Sequence, residues 1–176
     1  LNMLHMFVND FGEEFAPMIA VDSGNTVAAD DTNSLRYGMR TNGKSGFVFV
    51  NHYQRLTELA DIENAVISAE NVEFPPIDVK GEVSFFMPFN MKMGDSVLEY
   101  ATAQPLCKCG ETYFFAEIPN IKAEYKFSKG SANIVTVPFE NAKYMRKLNG
   151  TVYIGGGCNL YEENGQIHSV EDGEYI

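Results

Sequence analysis

Between Ser34 and Arg55 the chain reads SLRYGMRTNGKSGFVFVNHYQR, and this stretch constrains the fold more than any other. Two β-type segments flank Asn42-Gly43. Asn-Gly favours a two-residue hairpin loop, because both central residues tolerate positive φ and the turn's twist matches that of its strands. In the first segment Leu35, Tyr37 and Met39 alternate with Ser34, Arg36, Gly38 and Arg40. In the second, Phe47 and Phe49 fall on one face and Val48 and Val50 on the other. A strand apolar on both faces must be covered on both, so the pattern predicts a central strand inside a sheet. That strand ends in Asn51, His52, Tyr53, Gln54 and Arg55, five hydrogen-bonding side chains in a row.

On either side of this hairpin the pattern changes once and then stays constant. Leu4, Phe7, Val8, Phe11, Phe15, Met18 and Ile19 recur at helical spacing, with Asp10, Glu13 and Glu14 on the opposite face. Pro17 should end that helix near Ala16. So apolar a stripe needs a surface to cover, and residues 1–19 read as a helix at the junction with a further, upstream domain. Residues 20–33 read as a polar loop; its aspartates Asp22, Asp30 and Asp31 do not have the spacing of a calcium loop. From there to the end, roughly ten short strands punctuated by turn residues indicate an antiparallel β-sandwich or barrel over residues 20–176. The strands include Glu82–Phe89, Ser96–Ala103, Glu111–Ile118, Ile121–Ser128 and Ala132–Phe139. Residues 140–148 fit helix or strand equally. The fold class is therefore mainly β with one N-terminal helix.

Composition limits what such a domain does. With 45% hydrophobic and 21% charged residues the chain has the make-up of a globular core, not of a disordered segment. A formal net charge of -11 argues against nucleic acid and anionic membrane surfaces as partners, since both require a cationic face. No apolar run approaches the length of a membrane span. Three cysteines, Cys107, Cys109 and Cys158, make no disulfide framework. Cys107 and Cys109 form a C-x-C placed across a turn, and the scattered His5, His52 and His168 supply no obvious set of four zinc ligands. Gly155-Gly156-Gly157 lacks the Lys-Ser/Thr ending of a phosphate loop and reads as a bend or bulge. No cofactor is implied.

Catalytic signatures are likewise missing: no G-x-S-x-G, no Walker loop, no H-E-x-x-H and no dinucleotide fingerprint. A glycosidase needs two carboxyls across the scissile bond, with one held protonated by burial or neighbours. Glu82, Glu99 and Glu117 lie on or beside aromatic strands but read as solvent-facing. The run at the exit of the central strand admits two readings. Asn51, His52, Tyr53 and Arg55 could bind a sugar, with Tyr53 stacking on its apolar face. They could equally cap the sheet and pair with the Glu58–Glu63 loop. Met87, Met91 and Met93 read as core or hairpin packing.

Four runs taken together resemble a known family. FVNDFGEEFAPM, LRYGMRTNGKSGFVFVNHYQR, FFMPFNMKMGDSVLEYATAQPL and TYFFAEIPNI occur in that order. They are similar to the segment that follows the catalytic barrel in bacterial glycoside hydrolase family 35 β-galactosidases. Members carry D-F-G-E-x-x-A-P-M, R-T-(D/N)-G-x-S-G-F-x-F-V-N-N-Y-Q-R, P-F-N-x-x-x-G and Y-A-T-A-Q-P-L. The likeness covers about residues 5–127, with His52 where a second Asn is expected; residues 128–176 match less well. It implies a parent enzyme that removes terminal β-linked galactose with retention, using two glutamates on a TIM barrel. The N-E-N-E and E-x-W motifs that hold those glutamates do not occur here, so no catalytic residue carries over. What carries over is position. Residues 1–19 would leave the barrel, and the remainder would be an accessory domain whose partner is the upstream catalytic domain of the same polypeptide. That domain would brace the barrel and shape one side of its substrate groove. The alternative is a carbohydrate-binding module recognising galactosides. The resemblance also implies a bacterial periplasmic or extracellular setting.

Overall fold

The computed structural model describes residues 2–22, 24, 27–155 and 159–170. The chain opens with helix α1 (Asn2–Phe15), followed by β1 (Ile19–Asp22), β2 (Tyr37–Thr41) and β3 (Gly46–His52). Four short strands come next: β4 (Ile62–Ala65), β5 (Ser68–Ala69), β6 (Val72–Glu73) and β7 (Ile77–Val79). The long β8 (Val83–Met93) leads to β9 (Ser96–Ala101), β10 (Gln104–Cys109), β11 (Thr112–Ala116), β12 (Tyr125–Lys129) and β13 (Asn133–Val137). A one-turn helix α2 (Phe139–Ala142) precedes two hairpins, β14 (Arg146–Leu148) with β15 (Thr151–Tyr153), and β16 (Leu160–Glu163) with β17 (Gln166–Ser169).

The main sheet has six strands in the order β1-β2-β3-β8-β9-β12, antiparallel throughout. As the two-sided apolar pattern required, β3 is central. Val48 and Val50 join one core with Phe85, Met87 and Phe89 of β8 and with Ile67, Phe74 and Val79 from the β4–β7 segment. On the opposite face Phe47 and Phe86 pack with Phe7 and Phe11 of α1. The ring of Phe7 sits 5.0 Å from that of Phe47 and 4.8 Å from that of Phe86. Asn90, with φ +48°, interrupts the alternation of β8. Phe85, Met87 and Phe89 therefore belong to the first core, and Met91 and Met93 to the second.

A second sheet, β10-β11-β13, departs from the antiparallel expectation. β10 and β11 pair antiparallel, but β11 and β13 run parallel. The chain leaves β11, adds β12 to the edge of the six-stranded sheet, and returns in its original direction. A third core lies here, where Met6 of α1 meets Leu106, Cys107, Ala116, Val137 and Met145. The helix that the sequence set apart is thus built into both sheets' packing. Asp10, expected on its solvent face, is instead directed inward: its side chain is 6% exposed and accepts from Lys147 Nζ at 2.7 Å. It also accepts the backbone N–H of Lys108 at 2.8 Å, tying α1 to β10 and β14.

Two local expectations need correction, and one left open is resolved. The β2–β3 turn centres on Gly43-Lys44, one residue later than Asn42-Gly43. Thr41 pairs with Gly46, and the Asn42 N–H donates to Ser45 O. Only Gly43 has positive φ, +83°, whereas a I′ turn needs two such residues. Asn42 serves outside the turn centre, its Oδ1 accepting the N–H groups of Lys44 and Ser45, both at 3.0 Å. Moving the turn centre by one residue moves the pairing by two, so no side chain changes face. Cys107 and Cys109 lie on strand β10, not across a turn. Residues 139–148 contain both a helical turn and a strand. Gly156, Gly157 and Cys158 lie outside the described residues.

Candidate functional site

The run from Asn51 to Arg55 does not converge on one point. Asn51 is still on β3, opposite Ser84, and on the pleat face turned toward α1. Its Oδ1 accepts the Ser84 hydroxyl at 2.8 Å. His52, expected among sugar contacts, lies on the other face with Val48 and Val50. It is 1% exposed and its Nε2 has no hydrogen-bond partner. The two-residue period of the strand is the reason: one residue's advance turns the side chain through the sheet.

Beyond the strand the chain turns tightly. Thr57 N–H donates to Gln54 O at 3.3 Å, and Leu56 takes φ +61° and is 96% exposed. Gln54 Nε2 donates to Ala29 O at 3.0 Å, so this residue anchors the 27–34 loop. Arg55 is exposed on the turn. Tyr53 is half-exposed and borders a depression of about 560 Å³ shared with Glu58, Asp61 and Glu82. Of the four sugar contacts expected from the sequence, Tyr53 and Arg55 reach solvent together, Asn51 faces a different surface, and His52 faces the core.

That different surface is a cleft of about 440 Å³ beside the first turn of α1. Phe49, Phe86, Met3, Leu4 and Phe139 line it, and Asn51, Ser84 and Gln104 add polar groups. Gln104 was not singled out in the sequence. It opens β10, a strand hidden by the Pro at 105 and the Lys at 108, which break both alternation and apolar continuity. A polar residue immediately before an apolar Pro-Leu-Cys run was the available signal.

The carboxyls weighed as acid/base candidates stay near water. Glu82 and Glu117 are exposed, and Glu99 is paired with Lys126 at 2.7 Å. Burial first, and then the Asp10 carboxylate, push the Cys107 thiol up to about 12, which keeps it protonated and unreactive. Cys109 donates to Gly150 O at 3.0 Å. Asp31 accepts the N–H groups of Asn33 and Ser34, and its pKa is lowered, chiefly by a hydrogen bond from the Ser34 side chain. Among the described residues, no three His, Cys, Asp or Glu side chains are grouped to hold a metal, and no helix is long and apolar enough to cross a membrane. No protein-family model and no curated protein matches this chain.

Proposed function

We propose that this chain is the non-catalytic β domain of a β-galactosidase-type glycoside hydrolase, bracing a catalytic barrel encoded upstream and shaping one side of its substrate groove. The four ordered runs supply the enzyme class. The brace role is carried by apolar surface left bare at the N-terminal end. Val8 is 51% exposed on the outer side of α1, whose inner side is locked into the core. On edge strand β1, Ile19 and Val21 are also exposed. An amphipathic helix and a bare sheet edge at the end nearest the proposed barrel suit an interdomain contact.

A galactoside-binding module is the second reading, favoured by one observation: the accessible ring of Tyr53 beside hydrogen-bonding carboxylates. The divergence of Asn51 and His52 weighs against it.

The test begins with the parent reading frame, which should encode a (β/α)8 barrel bearing two glutamates upstream of Leu1. The isolated chain should not hydrolyse aryl β-galactosides above a mock-purified control, whereas the parent should. Val8→Asp with Ile19→Asp should lower the parent's thermal stability more than that of the isolated chain. Turnover by the isolated chain that disappears on mutating one glutamate, or a parent with no barrel, would refute the proposal.

A further inference from the structure

The cleft beside α1 differs in kind from the other depressions. Those beside the β2–β3 turn and beside Tyr53 carry charged side chains, Lys44 and Glu70 in one, Glu58, Asp61 and Glu82 in the other. None of the residues bordering the α1 cleft is charged, and aromatic rings make up much of its wall. A volume of about 440 Å³ with apolar walls and a few placed polar groups is the usual make-up of a small-molecule site.

Gln104 defines what those polar groups recognise. It is 7% exposed, and its Oε1 accepts the Phe86 N–H at 3.3 Å. That bond fixes which way the amide is turned, so the NH₂ half is the unengaged one. It has no hydrogen bond among the described residues. That NH₂ half is not among the fully buried polar atoms of the described residues, so water reaches it from the cleft and an incoming acceptor can take that water's place. Asn51 adds a second amide NH₂: its Oδ1 is occupied by Ser84, and its Nδ2, which donates to Tyr53 O at 3.5 Å, keeps one hydrogen for a ligand. The site therefore offers donors to an incoming acceptor and apolar surface to the rest of the ligand.

We infer that this cleft binds a neutral small molecule with an aromatic or similarly apolar body and a carbonyl-type acceptor, the acceptor directed at the Gln104 amide. A free sugar is a poor fit, since most of its hydroxyls would meet hydrocarbon. An anion would find no cation. The inference does not depend on the proposed membership of a β-galactosidase.

The test uses two neutral fluorescent probes with the 176-residue chain. One is 6-propionyl-2-(dimethylamino)naphthalene, which has a ketone. The other is N-phenyl-1-naphthylamine, which has none. Wild-type protein should bind both saturably with blue-shifted emission. Gln104→Leu should weaken the ketone about tenfold, the scale of one buried hydrogen bond, and the amine less than about twofold. Leu4→Glu, a change at the half-exposed rim that leaves the core alone, should weaken both, while Leu56→Glu on the distant turn should change neither. Several results would overturn the inference: no saturation by either probe, equal ketone affinity in Gln104→Leu, or the same loss in Leu56→Glu as in Leu4→Glu. So would self-association in sedimentation velocity that Leu4→Glu abolishes without any probe binding, which would make the cleft a contact between copies.

Discussion

Adding one methyl group at Gly46 should damage this fold more than most larger changes elsewhere. Gly46 is the first residue of central strand β3 and pairs with Thr41 on one side and Phe89 on the other. A Cβ built there would lie 2.1 Å from the carbonyl oxygen of Arg40 and 2.7 and 2.9 Å from two atoms of the Phe89 ring. The oxygen is main chain and cannot withdraw without pulling β2 from β3. Nor can the ring, which is fully buried in the first core. Overpacking a tight core costs about 1–3 kcal/mol, and losing one or two ladder hydrogen bonds adds roughly 1–2 kcal/mol. Against this stands a gain of about 0.5–1 kcal/mol from a less flexible unfolded chain. The net expectation for Gly46→Ala is a loss of about 3 kcal/mol. For a domain of this size that corresponds to a melting point lowered by roughly 6–12 °C. The control is Gly43→Ala, whose Cβ would meet nothing within 4 Å and whose only cost is φ +83°, about 1–2 kcal/mol. Thermal unfolding followed by circular dichroism gives both numbers. If Gly46→Ala melts within about 2 °C of wild type, or no lower than Gly43→Ala, the close approach of β2, β3 and Phe89 argued here is wrong.

Three further expectations follow from the same packing. Asp10→Ala leaves Lys147 and the Lys108 N–H without their shared acceptor and should cost about 2–4 kcal/mol in urea unfolding; Lys147→Met, which keeps the apolar arm, should cost clearly less, and the reverse order would show that the carboxylate is not the organising group. Cys107 should resist maleimide at neutral pH until the chain is unfolded, as read by mass spectrometry. Its raised pKa also has a sign: the folded state keeps the thiol protonated while the unfolded thiol ionises from about pH 9, so this contribution to stability is present below that pH and is lost as pH climbs toward about 12; Cys107→Ala should flatten that part of the pH dependence. Tyr53→Ala should change stability by less than about 1 kcal/mol, as befits a half-exposed ring, and wild type should give no saturable heat with galactose near millimolar concentration. A saturable signal abolished in Tyr53→Ala would favour the binding-module reading.

Local pattern alone determined the class of this fold. The helix ended where Pro17 demanded, β3 was recognisable as central because Phe47, Val48, Phe49 and Val50 leave it no solvent face, and Met87, Met91 and Met93 could be assigned to the core from their apolar surroundings. Such features follow from periodicity and backbone restriction, which act over a few residues. Other features needed the tertiary structure. The parallel pairing of β11 with β13 depends on where β12 finds a free edge, and the inward turn of Asp10 depends on Lys147, 137 positions away. The glycine requirement at 46 comes from the Arg40 carbonyl across the hairpin and from a ring 43 positions on, whereas Gly43 is required by its own φ. The site divided in the same way. Sequence placed five polar residues in a row, but the pleat sent Asn51 to one surface and His52 to the core, and it was the meeting of α1, β3, β8 and β10 that gave Asn51 the company of Gln104. A strand's alternation fixes which neighbours part company; which strangers meet is set by packing between segments that no local pattern records.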